Sequence, residues 1–288
     1  MKKISCLLMV VAAILTGCVN EFNQVYKSDN SEYKYEYAKE CFVRGKYQRA
    51  ITLLEPLIHI TKGTDNGEEC LYMLAMAQYC YGDYESASMT FRKYYQSYPK
   101  GTYAELSSFY TGESLYKSTP EPRLDQTPTV QSIAAFQEFL DLFSQSPLRR
   151  KAQERLFSLQ DKLVLKELFS AQLYYNLGPY FGNCNGFGES NYEACIVTAQ
   201  NALKDYPYSS HREDFALLIM KSKYALAQNS IEAKKLDRYR DAEDECYGFI
   251  NEYPESAQRQ LAEKLIKSCK KHTGNVTDED EADLTPDS

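Results

Sequence analysis

Apolar residues beyond position 30 recur at intervals of three and four, the period that gives an α-helix one buried face. One pattern returns five times: a Tyr or another apolar residue, a small Ala or Cys three positions later, an apolar residue four positions further, and a Pro twelve positions after the small residue. The copies are Tyr47, Ala50, Leu54 and Leu57; Tyr84, Ala87, Phe91, Tyr94 and Pro99; Ala135, Phe139, Leu142 and Pro147; Tyr192, Cys195, Ala199, Ala202 and Pro207; and Tyr239, Ala242, Cys246, Phe249 and Pro254. The first copy has Lys62 in place of the Pro. Each copy predicts a helix that packs closely through its small residue and ends at the Pro.

Another helical segment precedes each copy, at residues 31–44, 68–81, 102–117, 150–177 and 210–229. Helix, tight turn, helix and Pro form the tetratricopeptide (TPR) unit, whose Gly-x-Tyr is present at Gly45 with Tyr47 and at Gly82 with Tyr84. Insertions separate the later copies, at 118–129, 179–190 and 230–236. Because one hairpin cannot bury its own apolar stripe, we expect residues 31–272 to form an all-α, right-handed superhelix of about five TPR-like hairpins. An irregular helical bundle is the alternative.

The N-terminal segment has the features of a secretory signal. Lys2 and Lys3 precede the apolar residues 4–15, which as a helix span about 18 Å, against roughly 30 Å for the hydrocarbon core of a bilayer. Residues 1–17 are therefore predicted to be a signal peptide rather than a membrane span. The segment ends Leu15-Thr16-Gly17-Cys18, a bacterial lipobox, so we predict that the Cys18 thiol carries a lipid anchor. Val19 stands where an Asp would favour retention in the inner membrane, which favours sorting to the outer membrane.

Polar sequence flanks the predicted repeats on both sides. Residues 18–30 indicate a lipidated, flexible tether. Residues 273–288 carry many acidic side chains and few apolar ones, which predicts a disordered tail. The acidic residues of that tail are Asp278, Glu279, Asp280, Glu281, Asp283 and Asp287.

Charge and motifs argue against several classes of function. The net charge is −7, and no stripe of Lys and Arg is present, so nucleic acid is not an expected partner. His59, His211 and His272 lie in no nucleophile or HExxH motif. The Gly-rich stretch 178–188 lacks the Lys-Ser/Thr of a phosphate-binding loop, and we interpret it as a long connecting loop. We therefore predict no enzymatic activity, no catalytic residues, no cofactor and no metal site.

The cysteines beyond Cys18 have spacings that do not suit a disulfide framework. Cys70 and Cys80 fall on one predicted helix about 15 Å apart, which exceeds the reach of a disulfide. Cys195 and Cys246 occupy small-residue positions of the repeat, so we interpret the thiols as small buried hydrophobes. The sequence leaves open whether any of them form disulfides. The full set is Cys41, Cys70, Cys80, Cys184, Cys195, Cys246 and Cys269.

Aromatic pairs mark the first helix of the first three hairpins. Members of each pair are seven residues apart, hence on one helix face, and the pairs recur at intervals of 37. They are Tyr35 with Phe42, Tyr72 with Tyr79, and Phe109 with Tyr116, with Glu32, Lys39, Glu69, Met76 and Glu113 between them. In a TPR superhelix the first helices line the concave face, so these rings predict a groove for an extended peptide with aromatic anchors. The alternative is that the rings are packed core.

The sequence resembles the BamD family, the lipoproteins of the outer-membrane β-barrel assembly machinery. The resemblance rests on the lipobox, on Phe91, Tyr94, Tyr98 and Pro99, and on Ala199, Ala202, Tyr206, Pro207, Tyr208 and Ser209. It rests further on the long helix over 152–175, with Arg155, Leu156, Leu159 and Leu163 before Tyr174 and Tyr175. It covers residues 30–270.

The resemblance implies a non-enzymatic scaffold that is anchored in the outer membrane and faces the periplasm. Its C-terminal repeats would contact the periplasmic domains of the barrel-forming subunit, BamA, and its N-terminal repeats would receive unfolded barrel proteins through an aromatic C-terminal signal. One rival is another lipid-anchored envelope TPR adaptor, acting in cell division or in peptidoglycan coordination. A glycan-capture lipoprotein is disfavoured because the chain has no Trp.

Overall fold

The computed structural model describes residues 21–64, 66–178 and 190–274. The predicted signal peptide 1–17, the predicted lipidation site Cys18 and nearly all of the predicted tail 273–288 lie outside these ranges. So do Cys184 and most of the predicted loop 179–190. Within the described ranges no residue lies in a β-strand.

Eleven long helices follow a helical segment at residues 21–27 in the described part of the chain. They are α1 (Ser31–Val43), α2 (Tyr47–Ile60), α3 (Gly67–Tyr81), α4 (Tyr84–Ser97), α5 (Ala104–Ser118), α6 (Thr127–Leu142), α7 (Arg149–Leu177), α8 (Asn191–Asp205), α9 (Arg212–Gln228), α10 (Glu232–Glu252) and α11 (Arg259–Thr273). The first ten alternate as the two arms of five hairpins, which confirms the predicted all-α helical repeat fold. The additional helix α11 packs on α10 and covers its apolar side.

The hairpin turns follow from local chemistry. Gly45 and Gly82 adopt φ of 70° and 94°, a left-handed conformation that residues with a Cβ rarely adopt, and so let the chain reverse in two or three residues. The Asp83 side chain then accepts a hydrogen bond from the backbone N–H of Ser86 and caps α4. Ser190 and Glu193 form a reciprocal capping box at the start of α8. Sequence alone therefore determines where these helices begin.

Four second helices end in one conformation. The C-cap residue has φ between −131° and −120° and ψ between 56° and 65°, and its N–H bonds to the carbonyl four residues earlier. The four residues are Tyr98, Phe143, Tyr206 and Tyr253. Three of them directly precede Pro, which disfavours the α-helical conformation in the residue before it and so ends the helix there. The repeat is therefore real at the level of backbone geometry.

This geometry corrects the predicted third copy, which the sequence pattern placed three residues too late. Aligning Phe143 with Tyr98 puts Ser132 in the small-residue position, and Ser132 is fully buried. Leu142, which the pattern assigned to the buried stripe, is 50% exposed. Pro147 does not end α6, because the helix already ends at Leu142. This copy has Ser132 in place of Ala and Ser144 in place of Pro, so the sequence pattern does not reveal its register.

The chain divides into two compact units, Met1–Leu159 and Gln160–Ser288. In the first, each helix from α1 to α6 packs against the next. One core cluster joins α1, α2 and α3 around Tyr35 and Leu54, and another joins α5, α6 and the start of α7 around Phe109 and Phe136. The apolar stripes are thus buried between neighbouring helices, as a stacked repeat requires.

The second unit is built in the same way. The last part of α7 packs with α8 and α9 through Val164, Cys195 and Phe215. A further cluster joins α9, α10 and α11 around Met220 and Cys246.

Three boundary predictions are wrong. Residues 21–27 of the predicted tether are helical, and Val25 is fully buried in the first core cluster, because its apolar side chain finds a site against the first hairpin. The predicted insertion 230–236 is largely the start of α10, which begins at Glu232. Thr273, the first residue of the predicted tail, is the last residue of α11.

The interpretation of the cysteines is confirmed for five of the six described thiols. Each of these five is free and buried in a helix-packing position. They are Cys41, Cys70, Cys195, Cys246 and Cys269, whereas Cys80 is exposed.

Candidate peptide-binding surface

Tyr72 and Tyr79 lie two turns apart on α3, on the side that faces α4 and α5. Tyr72 stacks on Tyr103, with ring centroids 4.1 Å apart and ring planes 8° from parallel. Tyr79 meets Tyr110 edge to face at 5.1 Å. Phe91 of α4 connects the two ends, since it contacts Tyr72 at 6.0 Å and stacks on Tyr110 at 5.4 Å. The rings therefore form one continuous aromatic run, which we call the aromatic ridge: Tyr103, Tyr72, Phe91, Tyr110 and Tyr79.

The structure corrects the predicted contribution of α5. Phe109 is 1% exposed and packs between Phe136 and Phe139 of α6, so it cannot line an open groove. Its neighbour Tyr110 points to α3 instead and is half-buried. Because positions 109 and 110 are both aromatic, the sequence is compatible with either ring facing α3. The packing of Phe109 against α6 leaves Tyr110 as the ring that faces α3.

The predicted pair on α1 does not belong to the aromatic ridge. Tyr35 is 2% exposed and is part of the first core cluster, so its predicted role in a groove is wrong for the same reason as that of Phe109. Phe42 is half-buried against the same cluster and meets Tyr47 edge to face at 5.8 Å. Burial and the nearby Glu69 carboxylate raise the pKa of Tyr35. The alternative interpretation as packed core thus holds for Tyr35.

A buried ion pair lies beside the ridge. Glu113 of α5 has a side chain only 2% exposed, and it accepts two hydrogen bonds of 2.9 Å from the guanidinium of Arg155 on α7. The guanidinium carbon of Arg155 lies 4.3 Å from the ring centroid of Tyr116, the last of the predicted groove residues. The hydroxyl of Tyr116 is 3.3 Å from that of Ser158. Arg155 therefore fixes a carboxylate on one side and an aromatic face on the other.

The hydroxyls of Tyr72, Tyr79 and Tyr110 stay protonated over the physiological range. Burial raises the pKa of Tyr72 and of Tyr79 to about 12, and the charge of Glu113 adds to the effect at Tyr79. Burial, with Glu113 again, also raises the pKa of Tyr110. These side chains consequently offer neutral O–H groups and ring surface, without negative charge.

The accessible part of this surface combines aromatic and aliphatic groups with one guanidinium. Tyr72, Met76, Tyr79, Tyr110 and Tyr116 are half-buried, and the side chain of Arg155 is 28% exposed. Half-buried rings present faces and edges to which another aromatic side chain can pack. In the sequence Arg155 is recognisable only as part of the family motif, because its partner Glu113 lies 42 residues away.

Two further features are absent from the described residues. No group of three or more His, Cys, Asp and Glu among them is placed to hold a metal ion. None of the described helices combines the length and the apolar character needed to cross a membrane.

Comparison with known proteins gives one family. The family model described as YfiO, outer membrane lipoprotein, matches residues 27–189, which is more than half of the chain and includes the aromatic ridge and Arg155. Among solved structures the chain is similar to the TPR2AB-domain:pHSP90-complex of yeast Sti1, with a TM-score of 0.36 and 13% identity over 83% of this chain and 98% of that chain. No curated protein matches the sequence.

Proposed function

Because this chain belongs to the YfiO family of outer membrane lipoproteins, which is the BamD family, we propose that it is a non-enzymatic scaffold for the assembly of outer-membrane β-barrel proteins. In this proposal it is anchored through lipid on Cys18, faces the periplasm, and binds unfolded barrel proteins together with a BamA-like barrel-forming subunit. The family match and the helical repeats support a role in protein interaction. The observation that carries the substrate-binding part is the aromatic ridge beside Arg155.

The ridge suits a peptide that ends in an aromatic residue. A terminal aromatic ring can pack against the half-buried rings of Tyr79 and Tyr110 at little cost in conformational entropy, since these rings are already fixed by their neighbours. Arg155 donates to Glu113 through Nε and Nη2 and its side chain is 28% exposed, so we assign its remaining Nη1 group to a peptide carboxylate. Such a peptide would lie along α3 and α5 in an extended form.

Photocrosslinking tests this assignment. A photoreactive residue at Met76 or Tyr79 should capture unfolded barrel proteins and synthetic peptides with their C-terminal sequence. Met89 of α4 is the matched control, because it is 61% exposed and lies outside the ridge. Capture at Met89 but not at Met76 or Tyr79 would show that the ridge is not the binding surface.

Affinity purification from membranes tests the wider proposal. Recovery of a large barrel protein with periplasmic domains is the expected result. Recovery of cell-division or peptidoglycan proteins in its place would favour the rival adaptor function. Mass spectrometry of the N-terminal peptide, with and without Cys18→Ser, shows whether Cys18 carries the lipid.

A further inference from the structure

The helical segment 21–27 runs back along α1 and brings the N-terminal end of the described chain close to the first hairpin turn. Glu21 shares a cavity of about 520 Å³ with Tyr37, Glu40 and Arg44. The ring of Phe22 lies 5.3 Å from the guanidinium of Arg49 in the first turn of α2. Because Val25 is fully buried, this arrangement is fixed by packing.

Only three peptide units separate Cys18 from Glu21. They span at most about 11 Å even when fully extended. Cys18 therefore lies within that distance of a residue that packs beside the C-terminal half of α1. A lipid on Cys18 would hold this end of the first hairpin against the bilayer, with no long linker to separate them.

The turn between α1 and α2 has the side chains that a lipid surface accepts. Val43, the last residue of α1, is 84% exposed. Contact with water is unfavourable for its apolar side chain, and transfer into an apolar environment would be favourable. Arg44 and Lys46 follow Val43 in the chain, and Arg44 also pairs with Glu40 at 2.6 Å. Tyr81, 54% exposed, lines a cavity of about 280 Å³ with Gly45 and Lys46, so it lies beside the same turn. Exposed Tyr with Lys and Arg around an apolar tip is typical of the interface between membrane and water.

From the short connection and this composition, we propose that the α1–α2 turn, with Val43 at its tip and Tyr81 beside it, rests in the headgroup region of the bilayer to which the protein is anchored. The proposal depends on lipidation of Cys18, which is part of the proposed function. It makes the first hairpin a membrane-contacting element and sets its distance from the lipid surface.

Site-directed fluorescence on the full, lipidated chain tests the contact. Cys80→Ser and Cys184→Ser first remove the exposed thiol and the thiol outside the described residues. Val43→Cys is then labelled with an environment-sensitive dye in vesicles of phosphatidylethanolamine and phosphatidylglycerol that contain a headgroup-level quencher. Ile60→Cys is the matched control, because Ile60 is 61% exposed and lies at the other end of α2, about 20 Å away.

We expect the label at position 43 to be quenched at least about threefold more than the label at position 60. A water-soluble maleimide should also react more slowly with Val43→Cys on vesicles than in detergent, while its reaction with Ile60→Cys stays unchanged; this second measurement involves no apolar dye. Equal quenching and equal reactivity at the two positions would overturn the contact. Vesicle flotation separates the two failures: protein that floats without quenching overturns the contact alone, whereas protein that does not float overturns the lipid anchor as well.

Discussion

Glu113 and Arg155, 42 positions apart in the chain, form a two-point ion pair with both N–O distances at 2.9 Å. The carboxylate is almost wholly buried, so Arg155 is its main compensation for lost hydration. The pair joins α5 to α7 next to the aromatic ridge. It thus links the long helix of the family motif to the candidate binding surface.

Arg155→Ala should lower the stability of the first unit by about 3 kcal/mol, because it leaves the Glu113 charge buried and unpaired. Urea unfolding followed by circular dichroism measures the change. Arg150→Ala is the matched control on the same helix: its ion pair with Glu154 is exposed, at 90% and 62%, and its loss should cost less than about 0.5 kcal/mol. Similar losses in the two variants would contradict the importance of the buried pair.

Gly112→Ala should destabilise the protein although Ala is the better helix former. A Cβ at position 112 would meet the ring of Phe136 at 3.0 Å, and Phe136 is fully buried and cannot move away without cost. We expect a loss of about 1 kcal/mol, in the range seen for overpacked cores. Gly248→Ala in α10, where nothing lies within 4 Å, should instead stabilise by about 0.5 to 1 kcal/mol. A thermal melt of each variant shows the two signs, and a gain from Gly112→Ala would contradict the packing.

Tyr79→Ala should weaken binding of a peptide with a C-terminal aromatic residue by about tenfold, the loss of roughly 1.4 kcal/mol expected for an aromatic anchor. Tyr79→Phe keeps the ring and its contact with Tyr110, so its affinity should stay close to that of the unaltered protein. Fluorescence anisotropy of a labelled peptide measures both. Equal affinity in all three proteins would remove Tyr79 from the binding surface.

Cys246 and Cys269 should resist alkylation in the folded protein at pH 8, whereas the exposed Cys80 should react. Burial raises the pKa of each of the two thiols to about 12, so the reactive thiolate is scarce as well as inaccessible. Mass spectrometry after treatment with iodoacetamide identifies the modified residues. Modification of Cys246 as fast as Cys80 would show that the second unit opens readily.

The same burial predicts how stability depends on pH. A thiol whose pKa is raised by folding stabilises the folded state below the pKa of the unfolded thiol, about 9, and this contribution is lost as the pH rises from there toward 12. The stability of the second unit should therefore fall in this interval. Cys246→Ala should reduce the pH dependence, as measured by urea unfolding at several pH values.

Much of the architecture could be predicted from local sequence. The spacing from small residue to Pro located three of the five second helices, α4, α8 and α10, since Pro and the residue before it confine the backbone wherever they occur. Gly45 and Gly82 marked tight turns for the same local reason. The register of the third copy was predicted wrongly because Ser132 is a polar residue at a position where the pattern expects a small apolar one. Its hydroxyl is nevertheless satisfied in the core, since it donates to the Gly112 carbonyl at 3.0 Å. This hydrogen-bond acceptor lies on another helix, so the local sequence pattern around Ser132 cannot predict it.

Sequence by itself determined that this chain forms helical hairpins, where most of them start and stop, and which residues carry the lipobox and the family motif, because these depend on neighbours a few positions away. Tertiary structure decided that Tyr110 rather than Phe109 faces α3 and that Tyr35 is part of the core. It also decided that Glu113 pairs with Arg155 and that residues 21–27 pack on the first hairpin. Helix periodicity gives the side of a helix that is apolar. Which neighbour covers that side, and which rings stay accessible, depends on contacts between residues that are distant in the chain.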